Sequence, residues 1–265
     1  MEDSKIVLVI IGCIAIAGFI YAAFIANPPI IQLPDFNSQF NDYSAKVEKV
    51  DVSLQQKFAI DPTQKIRMFV SLKDNQTVDE LEKQGIKVIK RGKYVNYAVV
   101  EGDYQTLQVL LDKPTVQRVI EDGKVKAVEF NLGNIPIKPV IQDLGWNLKA
   151  IKADTAQSNG YTGRNATIAV LDTGVNHNLE DLNDNYLGGY DFVYNDTDPD
   201  DVDGHGTECA SIILGEGDSV YTGVAPDAHY YALKVLNDEG WGNWSDVIAG
   251  LEWVLDKVNN GEKID

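Results

Sequence analysis

The 265-residue chain has only two cysteines, Cys13 and Cys209. Cys13 lies in an uncharged apolar stretch near the N-terminus and Cys209 follows a glycine-rich histidine motif, so the two are not expected to pair and no disulfide framework is predicted. Their spacing from the three histidines offers no Cys/His zinc site. Stability must come from apolar burial, and a hydrophobic content of 44% suffices for one large core or two smaller ones.

Basic residues are also scarce, since 23 Lys and Arg stand against 40 Asp and Glu and give a formal net charge of −17. Proteins that bind nucleic acid carry clustered basic surface, so this composition argues against a nucleic-acid partner. The acidic excess is typical of the solvated surface of a secreted or salt-tolerant protein. Attraction of cationic substrates is the alternative interpretation.

The N-terminal stretch Ile6–Ala26 has no charge in 21 positions, which is long enough to cross a bilayer. A signal anchor would leave the protein tethered at the extracellular face of the cell membrane, whereas a cleaved signal peptide, with a small-residue site at Ala15–Ala17, would secrete it. A loose lipoprotein-like box at Ile10–Cys13 is a third alternative. We predict residues 1–26 as signal anchor or signal peptide, and residues 27–64, which begin with prolines and continue polar, as a linker.

Residues 65–128 are predicted to form a separate small domain. Their hydrophobic patterns indicate strands and helices in the order βαββαβ, which is the ferredoxin-like α+β arrangement. The predicted strands are 66–71, 86–90, 94–100 and 116–121, and the predicted helices are 78–84 and 104–111. This fold by itself names no function.

Two short motifs carry the chemistry. The apolar run Thr167–Leu171 predicts a buried parallel strand, and Asp172 stands at its C-terminal end, where open α/β sheets place functional groups. His205, between Gly204 and Gly206, is predicted in the first turn of a buried helix. A buried carboxylate that orients an imidazole, which in turn takes a proton from a hydroxyl, is the arrangement that activates a nucleophilic serine.

The serine of such a triad is not found in the chain. No Ser after His205 stands in a Gly-Thr-Ser context. A base and an orienting carboxylate without a nucleophile cannot form an acyl-enzyme, so we expect the chain as given to be inactive.

Residues 142–265 resemble the N-terminal half of a catalytic domain of the subtilase family, the subtilisin-like serine peptidases. Besides the Asp and His motifs, segments 160–163, 223–226 and 231–235 follow the family's pattern. The resemblance implies an α/β fold, a parallel-sheet three-layer domain in which Asp172 orients His205 and His205 is general base and then general acid. The family's oxyanion Asn and nucleophilic Ser would lie beyond residue 265. Glu208 stands where many members have a second His.

The same resemblance implies two contacts with polypeptide. The segment Gly240, Trp241 and Gly242 would be the edge that pairs with an extended polypeptide substrate. The domain at 65–128 would be a propeptide, first an intramolecular chaperone and then an inhibitor, with residues 129–141 as its substrate-like tail and the site of processing. An ordinary adaptor domain is the alternative.

Six aspartates fall within residues 191–203. Calcium takes 6–8 oxygen ligands, and this spacing is similar to a structural calcium loop of the family in which Asp191, Asp196, Asp198 and Asp200 match ligand positions. A solvated acidic loop is the alternative. A second calcium site, with Asp181 and Gln142 as ligands, is implied by resemblance alone.

The last element is a helix with Ser245 as its predicted N-cap and Asn259–Gly261 as its end. Lys263–Asp265 are predicted to begin another core strand, which indicates an incomplete chain. The sequence therefore predicts the precursor of an exported serine endopeptidase made as a zymogen. The alternative is a non-catalytic, propeptide-like inhibitor or binding protein attached to a degenerate protease half.

Overall fold

A computed structural model describes residues 9–11, 49–128, 146–217 and 222–265. The chain divides into two compact units, one formed by residues 16–123 and the other by residues 1–15 together with residues 124–265. We describe each unit by itself.

The unit within residues 16–123 is built on a four-stranded antiparallel sheet. Its described elements follow one another along the chain as α1 (Val52–Ile60), β2 (Ile66–Leu72), α2 (Gln76–Lys83), β3 (Val88–Arg91), β4 (Tyr97–Gly102), α3 (Tyr104–Leu111) and β5 (Val116–Glu121). The order of the strands in the sheet is β3-β4-β2-β5. From β2 onward the order of strands and helices is the predicted one. The predicted third strand begins three residues later than expected, at Tyr97.

The three helices within the described residues 49–123 pack their apolar side chains against the sheet in a single core. Leu54 and Phe58 of α1 belong to that core, and the Asp51 backbone N–H donates to the Val119 carbonyl. The described part of the predicted linker 27–64 is therefore partly folded structure. Leu54 and Phe58 stand at i and i+4 within a polar sequence, which is only a weak pattern for a helix.

The other unit contains a parallel sheet, which confirms the predicted α/β class. The described strands of this sheet are β1 (Val9–Ile11), β7 (Thr167–Asp172), β8 (Tyr186–Asp191) and β9 (His229–Lys234), and their order in the sheet is β1-β7-β9-β8. Its helices are α4 (Trp146–Ala150), α5 (Ala153–Ser158), α6 (His205–Leu214) and α7 (Trp244–Asn259). The remaining strands, β6 (Lys124–Lys126) and β10 (Trp241–Asn243), form a separate antiparallel pair.

Strand β7 is central to this sheet because it pairs with β9 on one side and with β1 on the other. Its residues Ala169 to Leu171 are fully buried, as expected for a strand covered on both faces. Near its start, the Asp265 backbone N–H donates to the Thr167 carbonyl at 2.9 Å. Asp265 therefore bonds to the sheet, although residues 263–265, which were predicted to begin the next strand, do not form one.

The predicted membrane segment at residues 6–26 falls mostly outside the described residues. The three described positions, Val9–Ile11, form β1 rather than a helix and pair with Ala169–Leu171. None of the helices in the described parts of the chain is long and apolar enough to span a membrane.

Helix α7 begins earlier than predicted. Asn243, not Ser245, is its N-cap, because the Asp246 carboxylate accepts hydrogen bonds from the Asn243 backbone N–H at 3.2 Å and from its side-chain amide at 2.7 Å. Ser245 lies buried in the first turn instead. Both residue types cap helices well, and the acidic side chain three positions later decides in favour of Asn243.

Candidate active site

The two predicted catalytic residues lie in hydrogen-bond contact although 33 positions separate them. Asp172 is the last residue of β7, and His205 is the first residue of α6. The His205 Nδ1 atom lies 2.7 Å from Asp172 Oδ1. A carboxylate accepts, so Nδ1 carries the proton and Nε2 is left as the basic nitrogen.

Asp172 is fully buried, and its Oδ1 atom also accepts the Thr173 backbone N–H at 2.7 Å. Its Oδ2 atom has no hydrogen-bond partner within the described residues. Burial raises the pKa of the Asp172 carboxyl above its ordinary value, although the hydrogen bonds from His205 and Thr173 oppose that shift.

The imidazole of His205 is shielded from solvent, with 13% of its side chain exposed. Burial alone would lower the pKa of His205, but the hydrogen bond and the negative charge of Asp172 outweigh burial and raise it. The charges of Asp203 and Glu208 act in the same direction. The unusual Glu208 therefore strengthens the basicity of the imidazole.

Asp201 joins the strand end to the helix start. Its carboxylate accepts hydrogen bonds from the Thr173 hydroxyl at 2.8 Å, from the Gly204 amide at 3.0 Å, and from both the amide and the hydroxyl of Thr207, at 2.8 and 2.5 Å. Burial opposes the charge, but these donors outweigh it and lower the pKa of Asp201. The sequence pattern does not separate Asp201 from its acidic neighbours, because five other aspartates stand within residues 191–203.

Two glycines allow the helix to approach the strand closely. A Cβ atom on Gly206 would lie 2.1 Å from the Gly174 carbonyl oxygen and 3.0 Å from the Cβ atom of Asp172. Gly174 has φ +109°, and a Cβ atom on it would lie 2.4 Å from the Pro199 carbonyl oxygen. Only glycine fits at these positions, so the Thr-Gly and His-Gly parts of the motifs have a steric reason.

Lys234 is buried at the end of β9, in register with Asp172. Its ammonium donates to the Thr173 carbonyl at 2.6 Å and to the Asp200 carbonyl at 3.2 Å, and forms an ion pair with Asp238 at 2.9 Å. It thereby fixes the backbone that follows the Asp172 strand. A charged side chain inside the apolar run 231–235 is the sequence signal that would have identified it.

The predicted substrate edge is an edge strand. Trp241 and Gly242 lie in β10, and Gly240 precedes it with φ +74°. Within the same unit, β6 pairs with β10 in antiparallel register, with Trp241 opposite Lys126 and Gly242 opposite Val125. A strand of this chain therefore occupies the edge that was predicted to bind an extended substrate.

The four aspartates predicted to bind calcium do not converge. Within the described ranges, the one group of three His, Cys, Asp or Glu side chains with ligand atoms within 4.8 Å of one another is Asp172, His205 and Cys209. Asp191 is buried, and its Oδ1 atom accepts the backbone N–H groups of Val193 and Tyr194. The exposed residues among the four are Asp196, Asp198 and Asp200.

The arrangement of these residues does not fit calcium as it stands. Burial raises the pKa of Asp191, while the nearby Lys234 ammonium acts to lower it. That ammonium already supplies a positive charge beside Asp191. Of the second predicted site, Gln142 lies outside the described residues, and the Asp181 carbonyl accepts the Glu216 backbone N–H at 2.9 Å.

Comparison with known proteins shows which family the chain resembles. The model of the subtilase family matches residues 163–264. Subtilisin E from Bacillus subtilis (strain 168) is 34% identical over 222 residues, which are 83% of this chain and 54% of that protein. Subtilisin from Bacillus pumilus is 40% identical over 116 residues, which are 43% of this chain and 42% of that protein. The chain spans about half the length of the curated relatives it matches.

Among solved structures, fervidolysin from Fervidobacterium pennivorans, a keratinolytic enzyme related to subtilisin, superimposes with a TM-score of 0.56 at 20% identity. The superposition covers 76% of this chain and 35% of that one. At 20% identity the superposition is evidence for the fold alone, and it confirms the predicted subtilisin-like α/β architecture.

Proposed function

Because this chain belongs to the subtilase family, we propose that the protein is the precursor of a serine endopeptidase whose base and orienting carboxylate are His205 and Asp172. The observation that carries the proposal is the 2.7 Å contact between His205 Nδ1 and Asp172 Oδ1 at the carboxyl end of a parallel sheet. Substrates would be polypeptides.

The proposed chemistry follows from the tautomer. With its Nδ1 proton held by Asp172, His205 takes the hydroxyl proton of the nucleophilic serine at Nε2 while the serine oxygen attacks the scissile carbonyl. The imidazolium formed is stabilised by the Asp172 carboxylate. His205 then donates this proton to the leaving amine. A water molecule next gives a proton to His205 and attacks the acyl-enzyme, which releases the acyl group and returns the proton to the serine.

Residues 65–128 are proposed to be a ferredoxin-like propeptide, followed by a tail at 129–141 that contains the processing bond. The βαββαβ order and the sheet order of the first unit support this assignment. The tail lies outside the described residues. Export, as an anchored or secreted protein, is proposed from the apolar stretch at residues 6–26, most of which also lies outside them.

Calcium binding at Asp191, Asp196, Asp198 and Asp200 is a separate proposal, and it rests on sequence and resemblance. An ion would have to gather exposed carboxylates that do not now converge. Calcium should raise the unfolding temperature of the chain, and the double variant Asp196→Asn, Asp198→Asn should lose that increase. An unfolding temperature that is the same in excess calcium and in chelator would contradict the proposal.

The test of function is covalent labelling. The coding sequence that follows codon 265 should be read, and the full-length protein should be treated with a fluorophosphonate probe. We expect one labelled serine in a Gly-Thr-Ser context, with labelling lost in His205→Ala and retained in His177→Ala, a partly buried histidine outside the proposed triad. A folded full-length protein that never labels would instead favour the non-catalytic inhibitor or binding protein.

A further inference from the structure

The strand that occupies the substrate edge has a regular chemical pattern. In β6 the exposed lysines Lys124 and Lys126 flank Val125, which is buried with 2% exposure. The Ala127 backbone N–H extends the pairing by donating to the Gly240 carbonyl at 2.8 Å. Because side chains alternate along a strand, both lysines lie on one face and Val125 on the other.

Each lysine meets a specific partner directly across the strand pair. The Lys126 ammonium lies over the ring of Trp241, 5.3 Å from its centroid. The Lys124 ammonium donates to Asn243 Oδ1 at 2.7 Å. Edge strands can bind any backbone, but cross-strand contacts of this kind select side chains.

A hydrogen bond to Asp246 fixes the orientation of the Asn243 side chain. Its side-chain amide nitrogen donates to the Asp246 carboxylate at 2.7 Å, and Asp246 is buried with 2% exposure. A carboxylate only accepts, so the NH₂ group faces Asp246, and the carbonyl oxygen accepts the Lys124 ammonium of the opposing strand. Asn243 therefore presents an acceptor that pairs with a donor such as ammonium and repels a carboxylate.

The surroundings of Trp241 also favour a cation. Trp241 is 46% exposed, and its ring is within reach of the Lys126 ammonium on the opposing strand. The Asp203 carboxylate lies 3.6 Å from the position of a Cβ atom on the adjacent Gly240. An aromatic ring and a nearby anion both attract an ammonium group, and the net charge of −17 acts in the same direction at longer range.

The position of Val125, opposite Gly242, is also constrained. A Cβ atom on Gly242 would lie 2.3 Å from the Val235 carbonyl oxygen and 3.2 Å from Val125 Cγ2. The bare glycine lets the opposing strand approach, and Val125 fills the space above it. The residue between the two cationic positions should therefore be apolar.

We propose that the edge Trp241–Asn243 selects basic peptide strands of the pattern Lys-Val-Lys, with Trp241 and Asn243 as the residues that determine specificity for cationic side chains at alternate positions. The chain's own Lys124–Lys126 segment is the first such strand to occupy the edge. This inference rests on the proposed peptidase function for its meaning as substrate preference, but the recognition itself does not depend on catalysis.

The first measurement uses the 265-residue chain and is independent of activity. Amide hydrogen exchange at Ala127 reports opening of the β6–β10 pair. Trp241→Leu and Lys126→Glu should each lower protection about 2- to 5-fold, whereas Lys126→Arg should retain it. The Tyr230 amide, which donates to the Asn185 carbonyl at 3.0 Å, is the internal control for the fold. Equal Ala127 protection in wild type and Trp241→Leu would overturn the inference.

The second measurement uses the processed full-length protein and matched peptides with Lys or Glu at both alternate positions. The kcat/KM for the Lys peptide should exceed that for the Glu peptide about tenfold, and the ratio should shrink in Trp241→Leu. Cleavage without preference would overturn the inference and leave the proposed function intact. If no peptide is cleaved, the proposed function fails, and the exchange measurement still decides whether the edge recognises cations.

Discussion

The hydroxyl of Thr173 donates to the Asp201 carboxylate at 2.8 Å. Thr173 is the residue after Asp172, and the same hydroxyl oxygen accepts the backbone N–H of Gly206, the residue after His205, at 2.9 Å. The Thr173 hydroxyl oxygen thus links the residue after Asp172 to the residue after His205. The distance between Asp172 and His205 is held by this arrangement as well as by their own hydrogen bond.

Asp201→Asn tests whether that arrangement positions the pair. An amide has one acceptor oxygen, so some of the four hydrogen bonds that Asp201 accepts must be lost. We expect the free energy of unfolding in urea to fall by about 2 kcal/mol, the cost of leaving partly buried donors unsatisfied. In the full-length protein kcat should fall more than KM rises, because Asp201 acts through Asp172 and His205 rather than on substrate.

The control is Asp184→Asn, at an exposed position. A surface substitution of this kind should change the unfolding free energy by no more than about 0.5 kcal/mol. If both variants behave alike, Asp201 has no positioning role.

The pKa of His205 offers a test that needs no catalysis. Asp172 raises it, so the midpoint of the imidazole titration, followed by NMR, should lie above the ordinary value of 6.5. Asp172→Asn should lower the midpoint because it removes the carboxylate charge. In the active protein, kcat/KM should rise through this raised pKa as His205 loses its Nε2 proton.

The contribution of His205 to stability falls as pH rises, whereas kcat/KM rises. A histidine whose pKa is raised by folding stabilises the folded state fully below its unfolded pKa, and that stabilisation is lost as pH rises through the folded pKa. The wild type should therefore lose this contribution over a pH range just above 6.5, and Asp172→Asn should not. A wild-type midpoint at or below that of Asp172→Asn would contradict the assignment.

The Asp and His motifs were readable from sequence because each depends on local pattern. An apolar run ends at Asp172, and glycines surround His205, so strand end and helix start follow from nearest neighbours. Asp201 was not readable in the same way. It stands among five similar aspartates in residues 191–203, and only the placement of the loop beneath Thr173 distinguishes it.

The pairing of β6 with β10 could not be predicted either, because it joins segments that are far apart in the sequence. The three residues Lys124–Lys126 are too short an alternation to predict a strand. Trp241, which pairs with Lys126, is 115 positions away, and no local pattern specifies that contact. Whether the four aspartates of the calcium prediction converge could not be judged from the sequence for a related reason. The sequence shows how many carboxylates the loop contains. Only the fold shows that Asp191 lies near the Lys234 ammonium and accepts hydrogen bonds from backbone amides.

Lys234→Met tests the buried ammonium at the end of β9. Methionine matches the length of the side chain but removes the donor, so the Thr173 and Asp200 carbonyls lose a charged hydrogen-bond partner. We expect a loss of about 2 kcal/mol in unfolding free energy, measured by urea denaturation. Lys263→Met is the matched control, because the Lys263 side chain is 69% exposed and its ion pair with Asp265 should contribute little. Equal effects in the two variants would show that Lys234 does not hold the strand ends.

Gly206→Ala separates close approach from helix propensity. Alanine inside a helix is normally favoured over glycine by about 1 kcal/mol, so propensity alone predicts a more stable protein. Here the added methyl would lie 2.1 Å from the Gly174 carbonyl oxygen, a backbone atom that cannot rotate away. Helix α6 must therefore shift from the end of β7, and we expect a net loss of about 1–3 kcal/mol. The same shift should lengthen the contact between His205 and Asp172, so the His205 titration midpoint should move towards 6.5. Ile212→Ala, at an exposed position of the same helix, should leave that midpoint unchanged. A Gly206→Ala variant that is stabilised and keeps the raised midpoint would show that the strand and helix do not meet at this distance.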